Sequence, residues 1–204
     1  MNLEKVLDIA KRELKGYGWE IFYLKNKKVK SQSNDLKIDK LSVSEDAGFS
    51  VRVLVGKSQG FAYSTSFDEK DILECINSAK ELAKITSEDD ANGFVEKLEE
   101  DEKVEYFDTF AVNLPITVKV EKAVELERLV RQKDERIKAV RSSTFVENIV
   151  EMTLINSYGI EIKEKGTYYS AMVSAVAQDG NDSQISWSFN GTRFLSDLDL
   201  SKIA

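Results

Sequence analysis

The 204-residue sequence contains no histidine, one cysteine (Cys75) and one proline (Pro115). Histidine is the commonest metal ligand and the usual general base near neutral pH. Its absence excludes zinc-helix motifs, Ser–His and Cys–His nucleophile systems and facial triads within the chain. A single cysteine rules out an internal disulfide framework and fits a reducing cytosol. No apolar run approaches the roughly 20 residues that a membrane-spanning helix needs. The N-terminal stretch MNLEKVLDIAKRELKG is charged throughout, unlike a secretory signal. A cytoplasmic location and no membrane partner are therefore expected. Positive charge is short as well: 29 Lys and Arg stand against 36 Asp and Glu, a net charge of −7. A protein that grips a phosphate backbone shows a basic face. The short basic cluster Lys25, Lys27, Lys28 and Lys30 reads instead as a solvated strand edge that discourages edge pairing. No direct nucleic-acid partner is expected.

What is present is a mixture of helical and strand periodicities. Leu3, Val6, Leu7, Ala10 and Leu14 fall on one stripe, which predicts an amphipathic helix over 2–15, ended by Gly16 and Gly18. Four strand candidates follow: Trp19 to about Val29; Leu36, Ile38, Leu41 and Val43, whose phase slips near Lys40; Phe49, Val51, Val53 and Val55; and Phe61, Tyr63 and Thr65. Turn-type residues at Ser33–Asp35, Glu45–Gly48 and Gly56–Gly60 separate them, as in an antiparallel meander. Ser66 and Glu69 have the spacing of a capping box, which predicts Ser66 as the N-cap of a helix running to about Ile85. Its buried stripe is Ile72, Leu73, Ile76, Ala79, Leu82 and Ala83. Cys75 lies beside that stripe and reads as a packed small hydrophobe.

Residues 87–105 are strongly acidic and read as a surface connection with room for one helical turn; the acidic connection as a whole covers about 87–113. Its acids match no calcium loop and read as a solvated charge run. Pro115 opens a third helix, where its missing N–H costs nothing. Val120, Ala123, Val124, Leu126, Leu129 and Val130 give that helix a broad apolar face. Residues 137–143 are a further strand candidate, leading into a long hairpin over Phe145–Ala177 that folds about Asn156-Ser157-Tyr158-Gly159. A last strand alternates Ile185, Trp187 and Phe189 with Ser186, Ser188 and Asn190, its serine face turned to solvent or to a partner. Ser196–Leu200 begins another helix. Helix followed by strands occurs twice, which hints at a duplication. The expected fold is α+β: antiparallel meanders and a long β-hairpin packed with about three helices.

Catalytic signatures are absent from the sequence. There is no G-x-S-x-G elbow and no dinucleotide fingerprint. Gly56 and Gly60 sit at a hairpin turn with no phosphate-binding lysine motif. No catalytic, cofactor-binding or metal-ligating residue is assigned to the chain.

An ordered set of motifs resembles the TldD/PmbA family, modulators of DNA gyrase related to metallopeptidases. Gly48-Phe49-Ser50-Val51-Arg52-Val53-Leu54-Val55 is similar to its G-x-x-V-R-V strand. Gly60-Phe61-Ala62 with Thr65 matches its G-F-A-x-T step, Ala79 and Ala83 its alanine spacing, and Asn156-Ser157-Tyr158-Gly159 its N-S-x-G turn. Arg193–Asp199 looks like the segment before the family's next helix. The connection Thr86–Phe94 looks closer to the PmbA (TldE) branch. The resemblance implies that residues 1–204 form a single N-terminal domain of a chain about twice as long. The family's metal-binding helix would lie in the absent C-terminal domain, with zinc in that domain of a TldD-type partner and no cofactor here. The implied role is a non-catalytic domain of a peptidase subunit in the proteolysis of unfolded peptides or small proteins. It would contribute subunit interface and substrate chamber within a homo- or hetero-oligomer. The alternative is a stand-alone protein-binding module, such as a gyrase modulator, with no peptidase role.

Overall fold

A computed structural model describes residues 2–98 and 104–204. The elements in chain order are α1 (Asn2–Glu13), β1 (Gly18–Asn34), β2 (Lys37–Val55), β3 (Ser58–Ser64), α2 (Glu69–Ile85), α3 (Ile116–Lys133), β4 (Ile137–Asn156), β5 (Glu161–Asp179), β6 (Asp182–Thr192) and α4 (Leu200–Ile203). The fold is α+β, with one antiparallel six-stranded sheet in the order β3-β2-β1-β4-β5-β6. The strands are far longer than the usual 5–6 residues. The element order α-β-β-β-α occurs twice, which matches the duplication hinted at by the sequence.

Three expectations about the strands need correction. Glu45–Gly48 is no turn: β2 runs unbroken from Lys37 to Val55. Gly48 lies inside the ladder, where a Cβ would meet the Ser64 carbonyl oxygen at 3.2 Å. The β1–β2 turn is Asp35–Leu36 and not Ser33–Asp35. Both central residues have positive φ (50° and 58°), as a two-residue hairpin turn twisted with its strands requires. Lys25, Lys27, Lys28 and Lys30 do not guard an edge, because β1 lies between β2 and β4. The phase slip near Lys40 carries no core position, since Lys37–Val43 is exposed on both faces. Residues 137–143, in turn, are continuous with the long hairpin's first arm in β4.

The described residues divide into two compact units. The first comprises those within Met1–Lys25, Asp46–Lys103 and Glu151–Glu164. Its core gathers Val6 and Ala10 of α1, Leu14 just beyond that helix, Trp19 and Ile21 of β1, Phe49, Val51 and Val53 of β2, and the α2 stripe. α2 is capped by Asp68 and not by Ser66, and Asp68 makes no side-chain cap hydrogen bond. The Ser66 hydroxyl is turned instead to the Asp71 carboxylate, which it meets as a donor. Burial on α2 falls on Ile72, Cys75, Ile76, Ala79 and Ala83. Leu82, one of the predicted stripe, is exposed.

The second unit comprises residues within Asn26–Glu45, Val104–Val150 and Lys165–Ala204. Its core holds Ala123, Leu126 and Val130 of α3, Phe145 and Val140 of β4, Tyr169, Ala171 and Val173 of β5, and Leu200 and Ile203 of α4. Three buried serines fasten the sheet to α3. Ser31 Oγ donates to the Val120 carbonyl at 3.1 Å, while Ser33 Oγ and Ser143 Oγ both donate to that of Ala123, at 3.0 and 2.7 Å. A larger residue at any of these sites would hold helix and sheet apart. Pro115 stands at the N-cap of α3, one residue before its first turn.

Candidate functional site

Arg52 and Asn156 of the family-like motifs are structural fasteners. Arg52, the arginine of the V-R-V strand, points away from the helices while Val51 and Val53 enter the core. Its Nη1 donates to Glu20 Oε1 at 2.9 Å, and Nε and Nη2 both reach Gln59 Oε1. The guanidinium lies 5.0 Å from the centre of the Phe94 ring, a cation–π contact. Glu20 is 7% exposed, so the arginine compensates a carboxylate that burial would otherwise leave unpaired. Phe94 belongs to the acidic connection, which is therefore tied down here. Residues 86–98 form no helix; residues 99–103 of the same stretch lie outside the described residues, so the expected helical turn is not placed there.

The turn at Asn156 is built by its side chain. Asn156 is 3% exposed. Its Oδ1 accepts from the amides of Tyr158 (3.0 Å) and Ile160 (3.2 Å), and its Nδ2 donates to the Val95 carbonyl at 2.7 Å. Ser157 then exchanges two bonds with Trp19: the Ser157 amide donates to the Trp19 carbonyl at 2.8 Å, and the Trp19 amide donates to Ser157 Oγ at 3.1 Å. Gly159 has φ +87°, a left-handed conformation that favours glycine.

In the second unit Lys119 and Glu147 form a buried ion pair at 2.7 Å, and Lys119 Nζ also donates to the Val112 carbonyl. Asp108 accepts from the amides of Ala111 and Leu195, and Thr167 Oγ1 donates to the Arg193 carbonyl. Arg193 lies against the rings of Tyr106 and Tyr168, at 5.8 and 6.0 Å. Burial, with the carboxylates of Glu147 and Asp108, pushes the Tyr169 phenol well above its ordinary range. Nothing in the sequence periodicity marks Lys119, Glu127 or Glu147 as buried, because helical and strand patterns assign charged residues to solvent.

Metal-binding residues are not assembled among the described residues. Among the described residues no three His, Cys, Asp or Glu side chains come together in a way that could hold an ion. Cys75 is buried, and burial pushes its thiol up to about 11, which keeps it protonated and inert.

What remains open to a partner is the helix-free face of the two terminal strands. On β3, Gly60 and Ala62 oppose Val53 and Val51 on the core face. Phe61 and Tyr63 oppose Arg52 and Ser50 on the other face, 48% and 75% exposed, with their ring centres 6.4 Å apart. Beside this strand an open pocket of about 400 Å³ is lined by Ala62–Ser66 together with Asp71, Glu74 and Ser78. On β6 the expected exposure of the serine face holds at Ser186, which is exposed, but not at Ser188, which is half-buried. Ser186 and Ser188 oppose Ala175 and Val173, whose side face α3 and α4 cover, while Ile185, Trp187 and Phe189 lie outward and exposed. The small serines allow α4 to pack against β6.

Against protein-family models, residues 19–83 match "PmbA/TldA metallopeptidase domain 1" and residues 111–204 match "PmbA/TldA metallopeptidase central domain". This chain belongs to the PmbA/TldD family. A curated relative, an uncharacterized protein of Methanocaldococcus jannaschii, is 26% identical over 186 residues, 90% of this chain and 41% of that protein. TldE from Thermococcus kodakarensis shares the fold with a TM-score of 0.80 at 21% identity, over 100% of this chain and 45% of that one. A Thermotoga maritima protein proposed as a modulator of a DNA gyrase gives a TM-score of 0.80 at 16% identity, over 99% and 45% of the two chains. At these identities the likeness to solved structures is one of fold. This PmbA/TldD chain spans less than half the length of each of these relatives. Among the described residues no helix is long and apolar enough to cross a membrane.

Proposed function

We propose that the chain is a non-catalytic portion of a PmbA/TldD-type peptidase that acts in the cytoplasm on unfolded peptides. It forms part of the substrate-chamber wall and of a subunit interface, while the metal and its ligands are supplied elsewhere in the assembly. The observation that carries this reading is the free edge of β3. That strand ends the sheet, holds Phe61 and Tyr63 out on its helix-free face, and adjoins a pocket carrying Asp71 and Glu74. An extended peptide adding to such an edge gains main-chain hydrogen bonds without regard to sequence, which suits unfolded substrates. The aromatic pair supplies apolar contact, and the two carboxylates favour a basic side chain in the pocket.

Fluorescence anisotropy with a labelled, permanently unfolded polypeptide tests the reading. The chain should bind it without cleaving it, and Tyr63→Lys should weaken binding about tenfold, the scale of a lost aromatic anchor. Binding unchanged by Tyr63→Lys removes β3 as the peptide site. The competing reading, a gyrase modulator without a peptidase role, gains only if the chain changes the rate of supercoiling by purified gyrase.

A further inference from the structure

We propose that the outer edge of β2 over Lys37–Glu45, with the cleft beside it, is a second peptide-docking site, which takes an extended acidic segment that places apolar side chains in the cleft. It lies in the second unit and shares no residue with the β3 site. β3 pairs with β2 only from Phe49 to Val55, so among the described residues Lys37–Glu45 is paired on the β1 side alone. The other side offers its backbone N–H and C=O groups to an added strand. Leu36, Ile38, Leu41 and Val43 are 42%, 38%, 50% and 54% exposed. Apolar surface gathered in this way marks a contact site more often than a solvated edge. Between the tip of this hairpin and one flank of α3 lies an open cleft of about 610 Å³. Leu36, Ile38 and Val118 give it apolar lining, and Lys37 and Arg128 give it positive charge. Its hairpin wall is held in place beforehand. Asp35 and Leu36 both have positive φ, a conformation that leucine rarely adopts. Asp35 Oδ1 accepts from Arg131 Nη2 at 2.9 Å, and Arg131 is bound in turn to Glu127 of α3.

Charge selects the occupant. Residues 26–40 hold five lysines and two aspartates, a net +3 within a chain of net −7. The lysines of β1 find their place here. Lys28 and Lys30 alternate with the buried Val29 and Ser31, so they stand on the face away from α3, on the strand next to β2. They guard no edge of their own, but their field reaches across the neighbouring strand. In the cleft Glu125 is taken up by Lys122 at 2.8 Å, which leaves Lys37 and Arg128 against Glu121. Every second side chain of an added strand turns toward the cleft, where Leu36, Ile38 and Val118 suit an apolar group. The residues between turn to the lysine side, where carboxylates suit. Lys37, Asp39 and Lys40 meanwhile deter indiscriminate pairing along the edge. A second copy fits less well, because it would bring two hairpins of net +3 together. A phosphate backbone offers nothing to Leu36, Ile38, Leu41 and Val43.

Fluorescence anisotropy on the 204-residue chain tests this with a short labelled peptide of alternating glutamate and valine. The peptide should bind saturably and more weakly as salt rises, while its lysine–valine counterpart should not bind at this site. Val118→Glu should weaken binding about tenfold. Val118 is exposed in the first turn of α3, where an acidic residue suits the helix, so circular dichroism and melting should not change. Arg128→Glu, at a second exposed position of the cleft, should weaken binding as well. Hydrogen exchange supplies the main-chain readout: amides within 37–45 should gain protection when the peptide is added, and those of β3 should not. No binding of the glutamate–valine peptide overturns the proposal, as does binding that survives both substitutions or that protects β3 instead. A labelled DNA duplex that binds and is lost with Arg128→Glu would give this face to phosphate and contradict the proposal. Protection of 37–45 that rises with chain concentration in the absence of peptide would give it to a second copy and contradict it equally. Tyr63→Lys should leave this binding unchanged, so failure here and failure of the β3 site are told apart.

Discussion

Gly60 lies so close to Ala79 that a Cβ on the glycine would stand 1.8 Å from the Ala79 carbonyl oxygen and 2.4 Å from the Ala83 amide nitrogen. Both obstacles are helix backbone, which cannot swing aside as a side chain can. This one contact accounts for the glycine of the G-F-A-x-T step and for the alanine spacing of α2. It also accounts for the orientation of β3: with the helix against Gly60 and Ala62, the large residues Phe61 and Tyr63 must occupy the opposite face. Gly60→Ala should therefore lose at least about 3 kcal/mol in urea denaturation, beyond the usual range for overpacking. A loss below about 1 kcal/mol would mean that α2 can move off the sheet.

Asn156 offers a cleaner separation of roles. Asn156→Asp keeps the oxygen that accepts from Tyr158 and Ile160 but replaces the Nδ2 donor that reaches Val95. A buried carboxylate then faces a carbonyl. The expected loss is about 2–3 kcal/mol, the scale of a buried polar group left without its partner. Asn156→Ala loses the turn acceptor as well and should cost no less. If Asn156→Asp proves neutral, the Val95 bond does not hold the connection in place.

The Lys119–Glu147 pair should behave as a unit. Lys119→Met strands a buried carboxylate and is expected to cost about 3–5 kcal/mol. Lys119→Met combined with Glu147→Leu removes both charges and should recover much of that loss. Denaturant unfolding of the two singles and the double gives the coupling directly. Additive losses would show that the two side chains do not depend on one another.

Cys75 makes stability depend on pH in the alkaline range. Its thiol is raised in the folded chain from the ordinary value of 9.0 to about 11 by burial. The folded state thus keeps its proton where the unfolded chain has released it. The contribution is fully present below about pH 9 and is lost as the pH rises towards 11. Cys75→Ala should flatten that part of the stability profile. Thiol reagents at neutral pH should modify the wild type only as fast as it unfolds.

The sequence made the element types legible because burial there follows periodicity. The stripe of α1, the alternation Phe49, Val51, Val53 and the Asn-x-x-Gly turn all appear in the structure where the pattern puts them. It misled at the terminal strands. Alternation tells which residues share a face, but not which face the helices cover, and small residues at Gly60, Ser186 and Ser188 decided that. Glu45–Gly48 looked like a turn from composition alone, although pairing with a neighbouring strand overrides turn propensity. The charged fasteners Arg52–Glu20 and Lys119–Glu147 escaped notice because their partners are 32 and 28 residues apart, beyond any local pattern. The exposed aromatic faces of β3 and β6 were missed for the same reason, since apolar residues in a strand are ordinarily assigned inward.

The central claim is that this chain binds unfolded peptide at a free sheet edge and leaves the chemistry to another part of the assembly. It is tested most directly by incubating the purified chain with a labelled unfolded polypeptide and excess zinc. Anisotropy, product formation and, after dialysis, bound metal are then followed together. The account predicts saturable binding that Tyr63→Lys weakens, no cleavage and no stoichiometric zinc. Cleavage accompanied by retained zinc, or no binding at all, would contradict it.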